Sequence, residues 1–103
     1  MQHELFANPQ RDARGVYRLI VVLQSDISAG DRRIVAPLML RTHARLAGSY
    51  RTTPAVAHDG DDYLVMLTLM GTVPVAVLRR SVGSLAAWRD DITRGLDWVL
   101  WGV

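Results

Sequence analysis

Cysteine is absent from this chain of 103 residues, and so is lysine. The lack of cysteine excludes a disulfide-stapled scaffold and a thiolate metal site. Long hydrophobic runs are also missing, since the longest, Leu19–Leu23 and Val73–Leu78, are far shorter than the roughly 20 apolar residues of a membrane span. The opening MQHELFANPQ has neither the basic start nor the apolar stretch of a signal peptide. We therefore expect a cytoplasmic protein with no membrane partner.

The net charge of the chain is small. All 12 residues of the Lys and Arg class are arginine, and the formal net charge is +2. These arginines are scattered along the sequence and are not clustered with aromatic residues, which argues against direct nucleic-acid binding. Hydrophobic residues make up 50% of the sequence, which excludes disorder. Length and composition together predict one globular domain over residues 1–103.

Apolar runs rich in β-branched residues predict a sheet in the first three quarters of the chain. Strands are predicted at ELF, VYRLIVVLQ, IVAPL and TVPVAVL, where Pro74 indicates an edge or a bulge. PAVAHDGDDYLVMLTLM is predicted to be a hairpin around Asp59–Asp62, and MLRTHARLAGS a loop or one or two helical turns. Three strands, Val16–Leu23, Tyr63–Met70 and Val73–Leu78, are apolar on both faces. Either the sheet curls into a small barrel, or a second copy of the chain covers one face.

The pattern becomes helical from Ser84, which is the predicted N-cap. Trp101 falls about 180° from the centre of the apolar face and points away from the core, whereas Trp98 lies between the two faces. An exposed Trp101 is either an anchor for a partner or the frayed end of a helix. The predicted core face consists of Leu85, Trp88, Ile92, Leu96 and Val99.

No set of residues has the spacing of a catalytic or metal site. The three histidines, His3, His43 and His58, lack ligand spacing. The adjacent carboxylates Asp61–Asp62 and Asp90–Asp91 point in different directions on a strand or helix and make poor acid and base partners. The DGDD stretch lacks the ligand ladder of a calcium loop. We expect no catalytic residue, no metal and no cofactor.

Three motifs in a fixed order carry a resemblance to a known family. VLQSDISAGDRRIVAPL, TVPVAVL and the ending DWVLWGV together resemble the CcdB-type toxins, the gyrase-poisoning half of toxin–antitoxin pairs. The resemblance extends from the initial MQ to the final WGV, so it implies a single CcdB-like toxin domain over 1–103.

The resemblance implies an α+β fold with a strongly bent antiparallel sheet of the SH3-like barrel type shared by CcdB and MazF toxins. A small extra sheet and a long C-terminal helix complete it. It also implies a homodimer, whose paired terminal tryptophans enter the cleft of the gyrase A subunit and stack on an arginine there. The cleaved gyrase–DNA complex is then trapped and growth stops. Such a protein poisons an enzyme and is not an enzyme.

The end of the chain matches the Trp-Gly-Ile ending of the family at Trp101, Gly102 and Val103, where valine replaces isoleucine. By this resemblance Trp101 supplies the stacking face and the cation–π contact. Gly102 allows close backbone approach.

Three further positions are implied to face gyrase. Ile27 matches the first of two apolar residues in the gyrase-facing loop of the family, and Ser28 departs from the second. Asp97 stands where a well-known member has asparagine and adds a negative charge near the contacting end of the helix.

The antitoxin of such a pair has a disordered segment that wraps the toxin dimer and competes with gyrase. An acidic, CcdA-like antitoxin is expected to contact Arg11, Arg14, Arg41 and Arg45. Two alternatives stay open: an mRNA-cleaving toxin of the MazF type, and a degenerate CcdB homologue that dimerises without poisoning gyrase.

Overall fold

The computed structural model describes residues 1–10, 15–26, 30–43 and 51–102. In these residues the chain forms seven strands and one α-helix, with short 3-10 turns between them. No helix in this part of the chain is long and apolar enough to cross a membrane. The elements are β1 (Glu4–Ala7), β2 (Leu19–Val22), β3 (Arg32–Leu40), β4 (Ala55–His58), β5 (Asp61–Val65), β6 (Gly71–Pro74), β7 (Gly83–Ser84) and α1 (Arg89–Trp101).

The longest strand, β3, organises the sheet. One edge of β3 pairs with β2, and the other edge pairs first with β6 and then with β5, all antiparallel. The 3-10 turn Leu67–Leu69 connects β5 to β6, so the two strands share one edge of β3 without pairing with each other. The described strands thus form one continuous sheet, and the separate small sheet implied by the family resemblance is not found among them.

The two ends of the strand order, β4 and β7, meet and nearly close the sheet. The ring of His58 lies against the backbone of Gly83, where a Cβ atom would sit 2.9 Å from His58 Nδ1. Only glycine admits the ring at this distance, so Gly83 is the position at which the barrel closes. The result is the α+β, SH3-like barrel with a C-terminal helix that the sequence predicted.

Alternate residues of the central strands bury apolar side chains on both faces of the sheet. One cluster, which contains Leu5, Val21 and Leu38, lies under α1. The other, which contains Phe6 and Val22, is covered by Leu78 and Val73 from the chain's own β6 region. The curled sheet therefore supplies its own cover, and the two-sided strands do not by themselves require a second copy.

The helix begins later than predicted. Ser84 belongs to β7 and is not the N-cap of α1, which is Trp88. Its hydroxyl accepts a hydrogen bond from the Ala86 amide at 3.1 Å, at the start of the 3-10 turn Ala86–Trp88. The α-helix proper starts at Arg89. The predicted core face is confirmed, because Leu85, Ile92, Trp88, Leu96 and Val99 all join the cluster beneath the helix.

Several strand limits differ from the prediction. The strand predicted over Val16–Leu23 is confined to Leu19–Val22, and the one predicted over Tyr63–Met70 ends at Val65, where the chain turns into a 3-10 segment. The predicted strand Val73–Leu78 also gives way to a 3-10 turn after Pro74, and β6 pairs only with β3, as the edge position of a proline requires. The hairpin of β4 and β5 is confirmed, with Asp61 and Asp62 inside β5.

Candidate partner-binding site at the end of the helix

The end of α1 presents two large apolar side chains to solvent. Trp101 is 73% exposed and Leu100 is 59% exposed, although the same helix buries Ile92 almost completely. Gly102 then stops the helix in the left-handed conformation, with φ 73°, and its amide donates a hydrogen bond of 3.1 Å to the Trp98 carbonyl. A residue with a side chain is strained at this φ, which explains a glycine immediately after the exposed indole.

Trp98, which the sequence left between the two helix faces, packs sideways against the barrel. It is half-buried, and the guanidinium carbon of Arg51 lies 4.2 Å from the centre of its ring. This distance is typical of a cation–π stack. Sequence reasoning missed the pair because Arg51 lies far from Trp98 along the chain and no periodicity links them.

A groove of about 370 Å³ runs along the side of α1 next to this stack. Gly95 lies in its floor, where the helix comes so close that a Cβ atom would sit 2.6 Å from Leu67 Cδ1 and 3.1 Å from the Arg51 carbonyl oxygen. The close approach explains a glycine in the middle of a helix, where it otherwise weakens the helix. The groove is lined by Arg51, Pro54, Ala55, Asp91, Arg94, Gly95 and Trp98.

On the outer face of α1, one carboxylate is in an ion pair with a described residue and another is not. Arg94 Nη1 lies 3.5 Å from Asp91 Oδ1, whereas Asp97 has no ion-pair partner among the described residues. Asp97 is exposed, and the last turn of α1 contains no basic residue, so its carboxylate is available to a partner that approaches Trp101.

Asp26 immediately precedes the loop that the family resemblance implies to face gyrase. The Asp26 carboxylate accepts hydrogen bonds from the Met1 ammonium at 3.3 Å and from the Gln2 amide at 3.2 Å. These hydrogen bonds lower the pKa of Asp26 below its usual value, and the bond from the ammonium is the largest cause. The next residues of that loop, Ile27 and Ser28, lie outside the described residues.

Of the four arginines predicted to contact an antitoxin, the described residues include Arg41. It lies on the exposed 3-10 turn Arg41–His43 and lines a second groove, of about 410 Å³, together with Asp61 and Asp62. The structure thus places Arg41 apart from the groove beside α1. Arg11, Arg14 and Arg45 lie outside the described residues, and so does Val103, which the family resemblance implies to face gyrase.

The family model described as CcdB protein matches residues 2–102. The match includes Asp97, Trp101 and Gly102, the described residues of the candidate site.

Proposed function

We propose that this chain, which belongs to the CcdB family of toxins from toxin–antitoxin pairs, binds the A subunit of DNA gyrase and traps the enzyme with its DNA cut. The observation that carries the proposal is the 73% exposed indole of Trp101 at the end of a helix whose other face is buried. A large aromatic side chain in this position leaves apolar surface in contact with water in the free protein, which is unfavourable. It also contributes nothing to the core. Its value lies in a contact with a partner.

Trp101 supplies the contact of highest energy in this proposal. An indole face attracts a guanidinium through the quadrupole of the ring, and the attraction strengthens when both groups lose water. Gly102 follows with no side chain, and the space around its Cα is open, so a partner can approach the backbone closely. In the trapped complex the protein holds gyrase in the state with cut DNA and catalyses no reaction of its own.

The proposed active form is a homodimer that presents two copies of Trp101. The exposed apolar side chains that a second copy can cover include Ile34 on β3, Leu69 on the 3-10 turn that contacts α1, and Leu100 near the end of α1. A two-fold axis that pairs the ends of α1 presents both copies of Trp101 to one cleft. The two-sided strands do not require this dimer, because the curled sheet covers both of their faces.

The antitoxin is proposed to be an acidic, CcdA-like chain. Arg41 supports this proposal because it is exposed, so its guanidinium can donate hydrogen bonds to a carboxylate of the partner. The contact is proposed outside the groove that Asp61 and Asp62 line, since these carboxylates repel an acidic chain. The remaining contacts are proposed at Arg11, Arg14 and Arg45.

The experiment that tests the function is expression of the chain in a host that carries the cognate gyrase. We expect growth arrest with gyrase-dependent DNA breaks and intact mRNA. Decay of mRNA without DNA breaks would instead support a MazF-type nuclease. Normal growth would indicate a degenerate homologue.

Substitution of Trp101 tests the mechanism. We expect both Trp101→Ala and Trp101→Leu to abolish DNA breakage and to weaken binding to a gyrase A fragment by about 30-fold or more, as for a binding hot spot. Leucine keeps apolar bulk but lacks the ring face, so it separates stacking from burial. The thermal midpoint should change little, because the side chain lies outside the core. Thr93→Ala, on the exposed middle of α1, is the matched control. A large loss of stability in the Trp101 variants would contradict the proposal by making the indole structural.

A further inference from the structure

Trp98 holds the end of α1 in two ways. Its carbonyl oxygen accepts the hydrogen bond from Gly102 that closes the helix, and its indole stacks on the guanidinium of Arg51. The backbone and the side chain of one residue therefore join the helix cap to the wall of the barrel. Trp101 belongs to the turn that this hydrogen bond closes, because it lies between Trp98 and Gly102 in the sequence.

Apolar packing of α1 weakens toward its end. Ile92 and Gly95 are buried, Leu96 and Val99 are partly buried, and Leu100 is exposed. The last contacts of the helix with the core thus come before Trp101. Val99 is the last apolar contact of the final turn with the core, and the stack of Trp98 on Arg51 adds support from the side.

The segment that bears Arg51 is itself fixed to the barrel. Pro54 and Thr53 are buried, and the Pro54 carbonyl accepts a hydrogen bond of 2.9 Å from the Val65 amide of β5. The carbonyl of Arg51 also lies against Gly95 of α1. Arg51 therefore contacts the helix at two levels, through its backbone at Gly95 and through its side chain at Trp98.

The charge of Arg51 suits this position. The carboxyl end of a helix carries partial negative charge and is stabilised by a nearby cation. The last turn of α1 has no basic residue of its own. The planar guanidinium of Arg51 supplies the cation from the barrel side and covers the ring face, a geometry that an ammonium group matches less well.

We propose that Arg51 is a positioning residue for the toxin: its stack on Trp98 holds the final turn of α1 against the barrel and fixes the direction in which Trp101 projects. The consequence for gyrase rests on the proposed function, but the ordering of the helix end does not. A partner that accepts Trp101 in one orientation binds more tightly when that orientation is fixed in advance.

The first test needs no gyrase. Hydrogen exchange of the Gly102 amide is measured in the full chain and in Arg51→Ala, with the Val65 amide as the reference for the barrel. We expect exchange at Gly102 to accelerate by about 2- to 5-fold, the range that an exposed cation–π contact supports, with Val65 unchanged. Arg51→Lys should give an intermediate effect. Unchanged exchange at Gly102, or an equal acceleration at Val65, would overturn the positioning role.

The second test is a double-mutant cycle on binding to the gyrase A fragment. Arg51→Ala should weaken binding by about 2- to 5-fold in the natural chain and should cause no further loss in the Trp101→Ala background. An equal loss in both backgrounds would show that Arg51 contacts the partner directly and would overturn the proposal. If the natural chain does not bind the fragment, the proposed function fails, and the exchange measurement still decides whether Arg51 orders the helix end.

Discussion

Two tryptophans three positions apart on α1 have different surroundings. The exposure of Trp101 was predictable, because the angle between residues on a helix is fixed and the apolar face was already defined. The position of Trp98 was not, because it depends on Arg51, which the barrel brings beside the helix from a distant part of the sequence. At the scale of the residue, periodicity predicts which side chains leave the core but not which contacts they make next.

Asp97 is the acidic residue of the proposed gyrase-binding site. A carboxylate near the end of a helix opposes the macrodipole, at a cost of about 0.3 to 1 kcal/mol. We expect Asp97→Asn to leave the free energy of unfolding unchanged or slightly raised. We also expect it to weaken binding to the cognate gyrase fragment by about 3- to 10-fold, because a charge-assisted hydrogen bond to an arginine becomes neutral.

Titration of both Asp97 variants at low and high salt is the measurement, and the salt dependence should be flatter for Asn. Equal or tighter binding by Asp97→Asn, with the same salt dependence, would mean that the carboxylate makes no contact with the partner.

His3 gives the fold a pH dependence. Burial, and then the positive charge of Arg89, lower the pKa of His3 below 6.5. The unfolded chain therefore binds a proton at His3 more readily than the folded chain, and stability falls as the pH drops below about 6.5. We expect His3→Asn to flatten this fall in urea unfolding between pH 7.5 and pH 5.5, since asparagine tolerates the left-handed φ of 66° at this position.

Arg89→Gln is the comparison variant for His3, and it should flatten the curve less than His3→Asn because burial is the larger cause. Parallel curves for the natural chain and His3→Asn would contradict the assignment.

At the scale of the element, the helix and the strands were predicted with different success. The core face of α1 was predictable because its apolar residues recur with helical spacing. Its start was not, since a serine hydroxyl accepts a hydrogen bond from the first amide of a 3-10 turn, as Ser84 does from Ala86, as readily as from that of an α-helix. The strand predicted over Tyr63–Met70 failed for a related reason: Leu67 is buried from a 3-10 turn, and an apolar run does not reveal whether it is extended or turned.

Gly95 tests how closely α1 packs on the barrel. Alanine in place of glycine favours an isolated helix by about 1 kcal/mol. Here the added methyl group meets Leu67 Cδ1 and the Arg51 carbonyl, and such overpacking typically costs about 1 to 3 kcal/mol. We expect Gly95→Ala to lower the free energy of unfolding by about 1 kcal/mol in urea denaturation. Thr93→Ala on the exposed face should leave it unchanged or raise it slightly. A more stable Gly95→Ala variant would show that α1 can move away from the barrel without penalty.

At the scale of the whole molecule, the sequence indicated that both faces of the sheet are covered but left the cover undetermined. The sheet covers both of its own faces because β5 and β6 pair with successive parts of the same edge of β3. No local sequence pattern indicates that β5 and β6 share this edge. The site at the helix end was foreseen in its exposed residues and in its glycine. The groove beside it was not, because its two walls come from separate segments of the chain.

We expect the chain to be a homodimer at micromolar concentration, with twice the monomer mass of 11.5 kDa in sedimentation equilibrium. The physical reason is that Ile34, Leu69 and Leu100 expose apolar area that a second copy can cover. Leu100→Asp should shift the equilibrium toward monomer, and Thr93→Asp, on the exposed middle of α1, should not. A stable monomer for the natural chain would remove the paired tryptophans from the proposed mechanism.

The pairing of β1 with β7 has a consequence for how the molecule assembles. Glu4 and Leu5 meet Ser84 and Gly83, so the first strand of the barrel completes its second ladder only when almost the whole chain is in place. Closure of such a long loop lowers the conformational entropy of the chain before the stabilising contacts form. Domains dominated by pairings between distant residues therefore fold slowly, in roughly milliseconds to seconds. Until that step, the outer edge of β1 has open hydrogen-bonding groups that can pair with other chains. In the folded chain β7 covers that edge, whereas β4 and β7 meet through the ring of His58 against Gly83 and not through a ladder. The pairing of β1 with β7 thus removes the β1 edge as a site of aggregation.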